Sequence, residues 1–456
     1  MARPLFLRNL TDSRGQRFDA LVTGGRLWRH GQGADGLPVL DAAGGRLLPG
    51  LVDSHLHLMA TAAARRALDL SDVRPDSPAL AAMLRAASAQ GPVRAIGLDG
   101  AERLDAAALD RIVAEVPDLV QARTGGLWVL NRAALAELGP PHRLSAAFER
   151  DGTGRPTGRV WRGDAALRRA GPPPDLAPLG ADLARAGVSA LTDASVTTDA
   201  AQARAIAAAG LPQRLTLMSA GPLPADSRWR IGPVKIVTDE RDLLTLEDMA
   251  ARIAAARRQG RNVAVHCVTH AELALTLAAL ADAGTWPGDR IEHGALIAPE
   301  AIGVIADLGL TVVVNPGFIA ARGDRWLRQI GPADLPDLCR IASLARAGVA
   351  LAGGSDAPYG PLTPWAAIRA ACTRQTDAGA RVSPAEALDP EAALALYLPP
   401  GGPDPAHGAP ADLVVLRPLA RIGLDPDPVA LTLIGGAPVY SRACTAHPVP
   451  VAGEPA

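Results

Sequence analysis

Several things are scarce in this sequence, and each scarcity excludes something. Aromatic residues make up only 3% of its 456 residues, so a core must be built from Ala, Val, Leu and Ile. Four cysteines, Cys267, Cys339, Cys372 and Cys444, are scattered without a CxxC pair. They argue against a disulfide framework or structural zinc cluster and for reduced thiols in a cytoplasmic protein. No run of about 18 apolar residues occurs, so no transmembrane helix is expected. The opening MARPLFLRNLTDSRGQ has no apolar stretch of signal-peptide length. Net charge is −1 and no basic run stands out, so neither nucleic acid nor a membrane surface is an expected partner. Lysine is nearly missing: Lys235 is the single lysine among 46 Lys and Arg residues.

What remains is ordinary globular composition, 48% hydrophobic and 20% charged, in a chain long enough for a large barrel plus an accessory domain. Residues 1–50 carry Gly-bounded, alternating segments (GGRLWRHG, LDAAGGRLLPG). Residues 405–456 do the same (ADLVVLRPLARIG, PVALTLIGGAPVYSRA), following a Pro/Gly-rich stretch, 398–410. The two ends are expected to pair into one small β-domain, with HPVPVAGEPA as a frayed tail. Between them, eight short runs read as strands: LVDSHLHL, SALTDAS, RLTLMSA, VKIVTD, VAVHCV, RIEHG, LTVVVNP and VALAGGSD. The last five alternate with Ala/Leu/Arg segments of helical period, which implies a parallel sheet, and eight such units imply a TIM barrel over 51–404. The span of about 60–169 breaks the rhythm and reads as an insertion after the first barrel strand.

The chemistry-bearing residues fall near the C-terminal ends of these runs, where a TIM barrel carries its active site. His55 and His57 stand at i and i+2, on one face of a strand and ~6.5–7 Å apart along it, so both imidazoles can reach one ion. Later runs add Lys235, His266, His293 and Asp356. Four imidazoles and a carboxylate suit zinc or a similar divalent ion. A protonated lysine there would repel a metal. A neutral, desolvated one can take up carbon dioxide as an anionic carbamate, which arginine cannot do because it does not lose its proton. Singly, each element is weak: an HxH pair is common, a lone buried His is more often a hydrogen-bonded core residue, and an Asp at a strand end often caps a helix. The ordered set on successive strands is what carries weight.

Other residues read more plainly. His30, His142, His407 and His447 are expected at the surface. His270 follows His266 by four residues, but His266 ends a strand, so the two should not share a helical face; a supporting, substrate-facing, core or surface role stays open. Asp53 either orients a ligand or is a turn residue. Phe318, Trp326, Arg328, Tyr359 and Trp365 lie near loops after the later strands, where they either line a pocket or pack those loops.

Together PGLVDSHLHL, VKIVTD, AVHCVTHAE, RIEHGALI and GGSDAP closely resemble the barrel motifs of the amidohydrolase superfamily, in its YtcJ-like branch, amidohydrolase family 3. RTGGLWVLNRAAL, DGTGRPTGRV and ADLVVL resemble further segments of that branch. The resemblance implies a TIM (β/α)8 barrel, a small β-sandwich formed by both termini and an α+β insertion. It also implies one or two divalent metals, usually zinc. His55 and His57 would bind the more buried ion with Asp356; carboxylated Lys235 would bridge to a second, held by His266 and His293. Asp356 would also move the proton from attacking water to the leaving amine. A homodimer follows only by resemblance. Two segments depart from the branch: Asp239 is followed by Glu240 and a short acidic loop, and Gly126, within Thr124-Gly125-Gly126, stands where a His is expected. These departures put the substrates of better-known relatives in doubt. The favoured expectation is hydrolysis of a C–N bond in a small molecule. The alternatives are another metal-dependent reaction, such as ester or phosphoester hydrolysis or decarboxylation, and a metal-binding protein without catalysis.

Overall fold

The computed structural model describes residues 2–30, 36–140, 144–167, 173–442 and 446–447. His142 and Cys444, and the side chains of His30 and His447, lie outside what is described. The chain divides into two compact units, Met1–Leu58 with Asp175–Ala456, and Met59–Pro174.

In the first unit, eight parallel strands form one sheet in sequential order: β1 (Leu51–Leu56), β2 (Val188–Asp193), β3 (Arg214–Ser219), β4 (Trp229–Ile236), β5 (Val263–Cys267), β6 (Arg290–His293), β7 (Thr311–Val314) and β8 (Ala350–Gly353). All eight expected runs are present, and the sheet is a nearly closed TIM barrel. Helices α1 (Ala177–Arg185), α2 (Ala200–Ala208), α3 (Leu246–Arg258), α4 (His270–Ala283), α5 (Pro299–Asp307), α6 (Gly317–Gln329), α7 (Ile341–Arg346) and α8 (Pro364–Thr373) accompany it. Among the described residues β3 passes to β4 without a helix, and two helices, α6 and α7, lie between β7 and β8.

Local chemistry fixes these elements. Thr269 and Glu272 form a capping box on α4; Thr245 and Asp199 cap α3 and α2 through side-chain oxygens; Pro299 and Pro364 open α5 and α8. Alternation then sorts the strand residues. Val234, Ile236, Val263, Val265, Cys267, Ile291, Val312 and Val314 pack outward with Met249, Ile253, Leu273, Leu280 and Ile368 of the helical layer. Lys235, Ala264, His266, Arg290 and Glu292 alternate with them and face the barrel's interior.

Two small sheets bring the chain ends together. Leu5–Thr11, Arg17–Thr23, Arg26–His30, Val39–Asp41 and Ala446–His447 form one. Leu47–Pro49, Leu413–Leu416, Val429–Ile434 and Ala437–Ser441 form the other. Leu7, Leu10, Val22 and Leu27 of the first share a core with Leu47, Leu413, Val415 and Leu433 of the second, as in a β-sandwich. The second unit has its own six-stranded mixed sheet and its own core around Leu80, Leu84, Leu98, Val120 and Val129.

The barrel closes at β1 and β8. At the lower end the seam is wedged: Val52 N–H donates to the Tyr397 carbonyl (2.8 Å) and Gly353 N–H to that of Leu396 (2.6 Å). At the upper end the strands meet directly. Asp356 N–H donates to the His55 carbonyl (2.7 Å), and His57 N–H to that of Ala357 (2.9 Å). Buried Asp53 locks the join, one oxygen accepting from the N–H groups of His55 and Ser355, both at 3.1 Å. Gly354 is required by this approach, since a Cβ there would lie 2.6 Å from the His55 Cβ. Gly354→Ala is therefore expected to cost about 1–3 kcal/mol of stability, the usual scale for forcing a methyl into a packed site. A urea-unfolding midpoint equal to the wild type's would show that the seam has slack.

Candidate metal centre

Seam closure places three of the sequence-selected residues in one cluster. The donor atoms of His55, His57 and Asp356 all lie within 4.8 Å of one another. Asp356 Oδ1 is 3.4 Å from His55 Nε2 and 3.1 Å from His57 Nε2. Asp356 follows the end of β8 with a left-handed backbone, φ 50°. His293 is similar, φ 73°, so strand alternation no longer governs its side chain, which would otherwise point outward with Ile291. Its Nδ1 instead lies 4.0 Å from Asp356 Oδ2 and 2.8 Å from Asn315 Oδ1. Non-glycine residues in this region cost of order 1–3 kcal/mol each and cluster at functional sites.

His266 and Lys235 complete the surroundings. The His266 ring lies edge-on to that of His293, centroids 4.6 Å apart, and the His293 ring is 4.8 Å from that of His55. Lys235 is 3% exposed, and its Nζ has no hydrogen-bond partner among the described residues. Thus His55, His57 and Asp356 come within shared reach of one ion, while the His293 ring stands beside His55, the His266 ring beside His293, and Lys235 is buried on β4.

The electrostatics follow from burial. Desolvation, reinforced by Lys235, pushes His55 down to about 3, so its imidazole is neutral. Desolvation also lowers His293 and Lys235. Burial would raise Asp356, but a hydrogen bond from His57 and the surrounding imidazoles hold it below the usual carboxylate range. The site therefore combines a neutral His55 imidazole, one ionised carboxylate and an amine biased toward neutrality. His55 Nε2 and Lys235 Nζ are buried without hydrogen bonds, and an unmet buried polar atom is costly. A divalent cation bound by these donors answers that deficit, so the residues present fit a metal.

Residues that sequence reasoning did not single out hold these side chains in place. Glu292, fully buried on β6, bonds His55 Nδ1 and Arg290. Asn315 bridges His293 to the Gly354 carbonyl, donating at 2.9 Å. Ser195 Oγ is 3.1 Å from His57 Nδ1, and fully buried Asp193 accepts from the N–H groups of Leu58 and Ser195. A carboxylate set between Ile291 and His293 in the strand run RIEHG was the available signal for Glu292; nothing local marked the others.

The remaining sequence readings resolve individually. His270 opens α4 and pairs with Asp337 (3.0 Å), away from the cluster and off any face shared with His266. His407 packs against Trp28. Asp239 caps a short turn and pairs with Arg241. Gly126 belongs to the second unit, its carbonyl accepting from Arg162 N–H. Phe318 and Trp326 pack against each other on α6, Arg328 lies on the same helix, and Trp365 is buried, donating to the Ala186 carbonyl. Tyr359 alone of that group stands by a cluster residue, its ring 5.8 Å from that of His57. Cys267, Cys339 and Cys372 are free thiols.

A parallel barrel with a His–His–Asp cluster at its C-terminal mouth defines the class of metal-dependent barrel hydrolases. Comparison with known proteins agrees. The amidohydrolase family model matches residues 38–399, and the chain belongs to that family. An N-substituted formamide deformylase of Arthrobacter pascens is 26% identical, over 85% of each chain. The YtcJ amidohydrolase of Bacillus subtilis (strain 168) is 27% identical over 33% of this chain and 30% of its own. Among solved structures, an uncharacterized metal-dependent hydrolase of Pyrococcus horikoshii superposes with a TM-score of 0.69 at 18% identity, covering 92% of this chain and 99% of that one. The chain is accordingly a hydrolase of the amidohydrolase type. No described helix is long and apolar enough to cross a membrane.

Asn315→Leu keeps the branched outline of the side chain but removes both of the residue's hydrogen bonds, leaving His293 Nδ1 and the Gly354 carbonyl unmet. Chemical denaturation is expected to show a loss of about 1–3 kcal/mol; an unchanged midpoint would contradict the bridging role.

Proposed function

We propose that this chain is a metal-dependent hydrolase that cleaves the C–N bond of an amide, cyclic amide or N-substituted formamide in a small molecule. The observation that carries the reading is the convergence of His55, His57 and Asp356 beside a buried, partnerless Lys235. The formamide deformylase relative supports the choice of bond. His55, His57 and Asp356 would hold one ion, zinc above all for this nitrogen and oxygen donor set. Lys235 would add to carbon dioxide through its neutral Nζ, losing a proton to give the carbamate, and with His266 and His293 hold a second ion. When bound, the metal lowers the pKa of water toward ~7 and polarises the scissile carbonyl.

The chain's own residues do the rest. Ionised Asp356 accepts the proton from the attacking water and delivers it to the leaving nitrogen, a role worth roughly 10²–10⁴-fold. Ser195 and Asn315 hold the His57 and His293 rings against the approaching substrate. Tyr359, beside His57, offers one aromatic wall to the bound molecule. The free, dispersed cysteines support a cytoplasmic setting.

Purified enzyme loaded with zinc is expected to release amine from a panel of N-substituted formamides, anilides and cyclic amides, and Asp356→Asn to lower kcat by at least 10²-fold. Faster turnover of aryl esters or phosphoesters, with no amine released from any amide, would overturn the reading.

A further inference from the structure

We propose that Arg290 and Glu292 act as a pair of positioning residues that fix which nitrogen of His55 carries its proton, and so leave the other free to bind metal; this rests on the metal-dependent reading above. The pair lies on β6, one turn of strand alternation apart, while His55 belongs to β1. These strands are not neighbours in the sheet, so the bonds cross the barrel's interior. The Glu292 carboxylate is divided between two partners: Oε1 accepts from Arg290 Nε at 2.5 Å and Oε2 bonds His55 Nδ1. Arg290 is anchored in turn, its Nη2 donating to the Ser54 carbonyl at 2.8 Å, next to His55. Lys235, the other cation nearby, makes no hydrogen bond to the carboxylate.

An ionised carboxylate only accepts hydrogen bonds. His55 Nδ1 must therefore donate, and a neutral imidazole that donates at Nδ1 carries a lone pair at Nε2. That atom is the one 3.4 Å from Asp356 Oδ1, within the cluster. Arg290 makes the arrangement one-way. Its Nε–H occupies the second oxygen, so the side chain at position 292 sees an N–H donor on each side and must present an acceptor to both. A carboxylate does so; a carboxamide does not.

This gives a test that bulk, charge and packing alone do not mimic. In Glu292→Gln the NH₂ must face either Arg290, setting N–H against N–H, or His55, which moves the ring proton to Nε2. The second puts the ring proton on the metal-binding nitrogen; the first keeps the tautomer but breaks the Arg290 bond that holds the side chain against His55, so each weakens metal binding. In Arg290→Met/Glu292→Gln the NH₂ can turn toward the methionine, returning the amide oxygen to His55 Nδ1. Zinc affinity, read by competition with a chromogenic chelator on protein whose folding is verified by circular dichroism, is expected to fall 10–100-fold in Glu292→Gln and to recover most of that loss in the double variant. Wild-type affinity in Glu292→Gln, or no recovery in the double variant, would overturn the proposal while leaving the metal site itself intact. Wild-type protein that binds no zinc would instead sink the functional reading. If the variants do not fold, selective ¹⁵N-histidine spectra of the metal-free wild type decide: a proton on His55 Nδ1 supports the pair's role, and a proton on Nε2 overturns it.

Discussion

The meeting of β1 and β8 at the upper rim is the constraint on which the rest of the site depends. Two backbone hydrogen bonds, from Asp356 N–H to the His55 carbonyl and from His57 N–H to that of Ala357, bring the first and last strands of the barrel together at the candidate metal centre. Below them the strands part around residues Leu396 and Tyr397. Asp53 and Gly354 serve this closure rather than catalysis, one by accepting two backbone N–H groups and the other by having no side chain. A carboxylate from one end of the barrel thereby joins two imidazoles from the other.

Closure alone would produce an unstable arrangement. Burying imidazoles, one carboxylate and a lysine costs free energy unless their polar atoms find partners. The Nδ1 nitrogens do: Glu292 serves His55, Ser195 serves His57 and Asn315 serves His293. His55 Nε2 and Lys235 Nζ do not. His55 Nε2, one of the converging donor atoms, is thus left unmet at the position a cation would take, which links the packing of the barrel to its chemistry.

The fold was largely legible in the sequence because parallel, doubly covered strands read as short apolar runs; VAVHC and TVVV are examples. Less legible was β4, which begins at Trp229, five residues before the visible run, because Gly232 and Pro233 interrupt its pattern. The missing helix between β3 and β4 had no local signal either. Within the site, His55 and His57 were conspicuous through their spacing, and Lys235 through its uniqueness. Glu292 and Asn315 were not, because their importance lies in partners 237 and 22 residues away in sequence. Phe318, Trp326 and Trp365 show the opposite difficulty: large side chains near the catalytic loops whose contacts are with the surrounding fold.

Elemental analysis of wild-type protein and His57→Ala, purified side by side with chelator-treated buffers and reloaded with zinc, tests the central claim most directly. The account predicts at least one tightly held divalent ion per wild-type chain and a clear loss in the variant, because the Nε2 atom of His57 is one of three converging donors. Wild-type protein that retains no stoichiometric metal would contradict it.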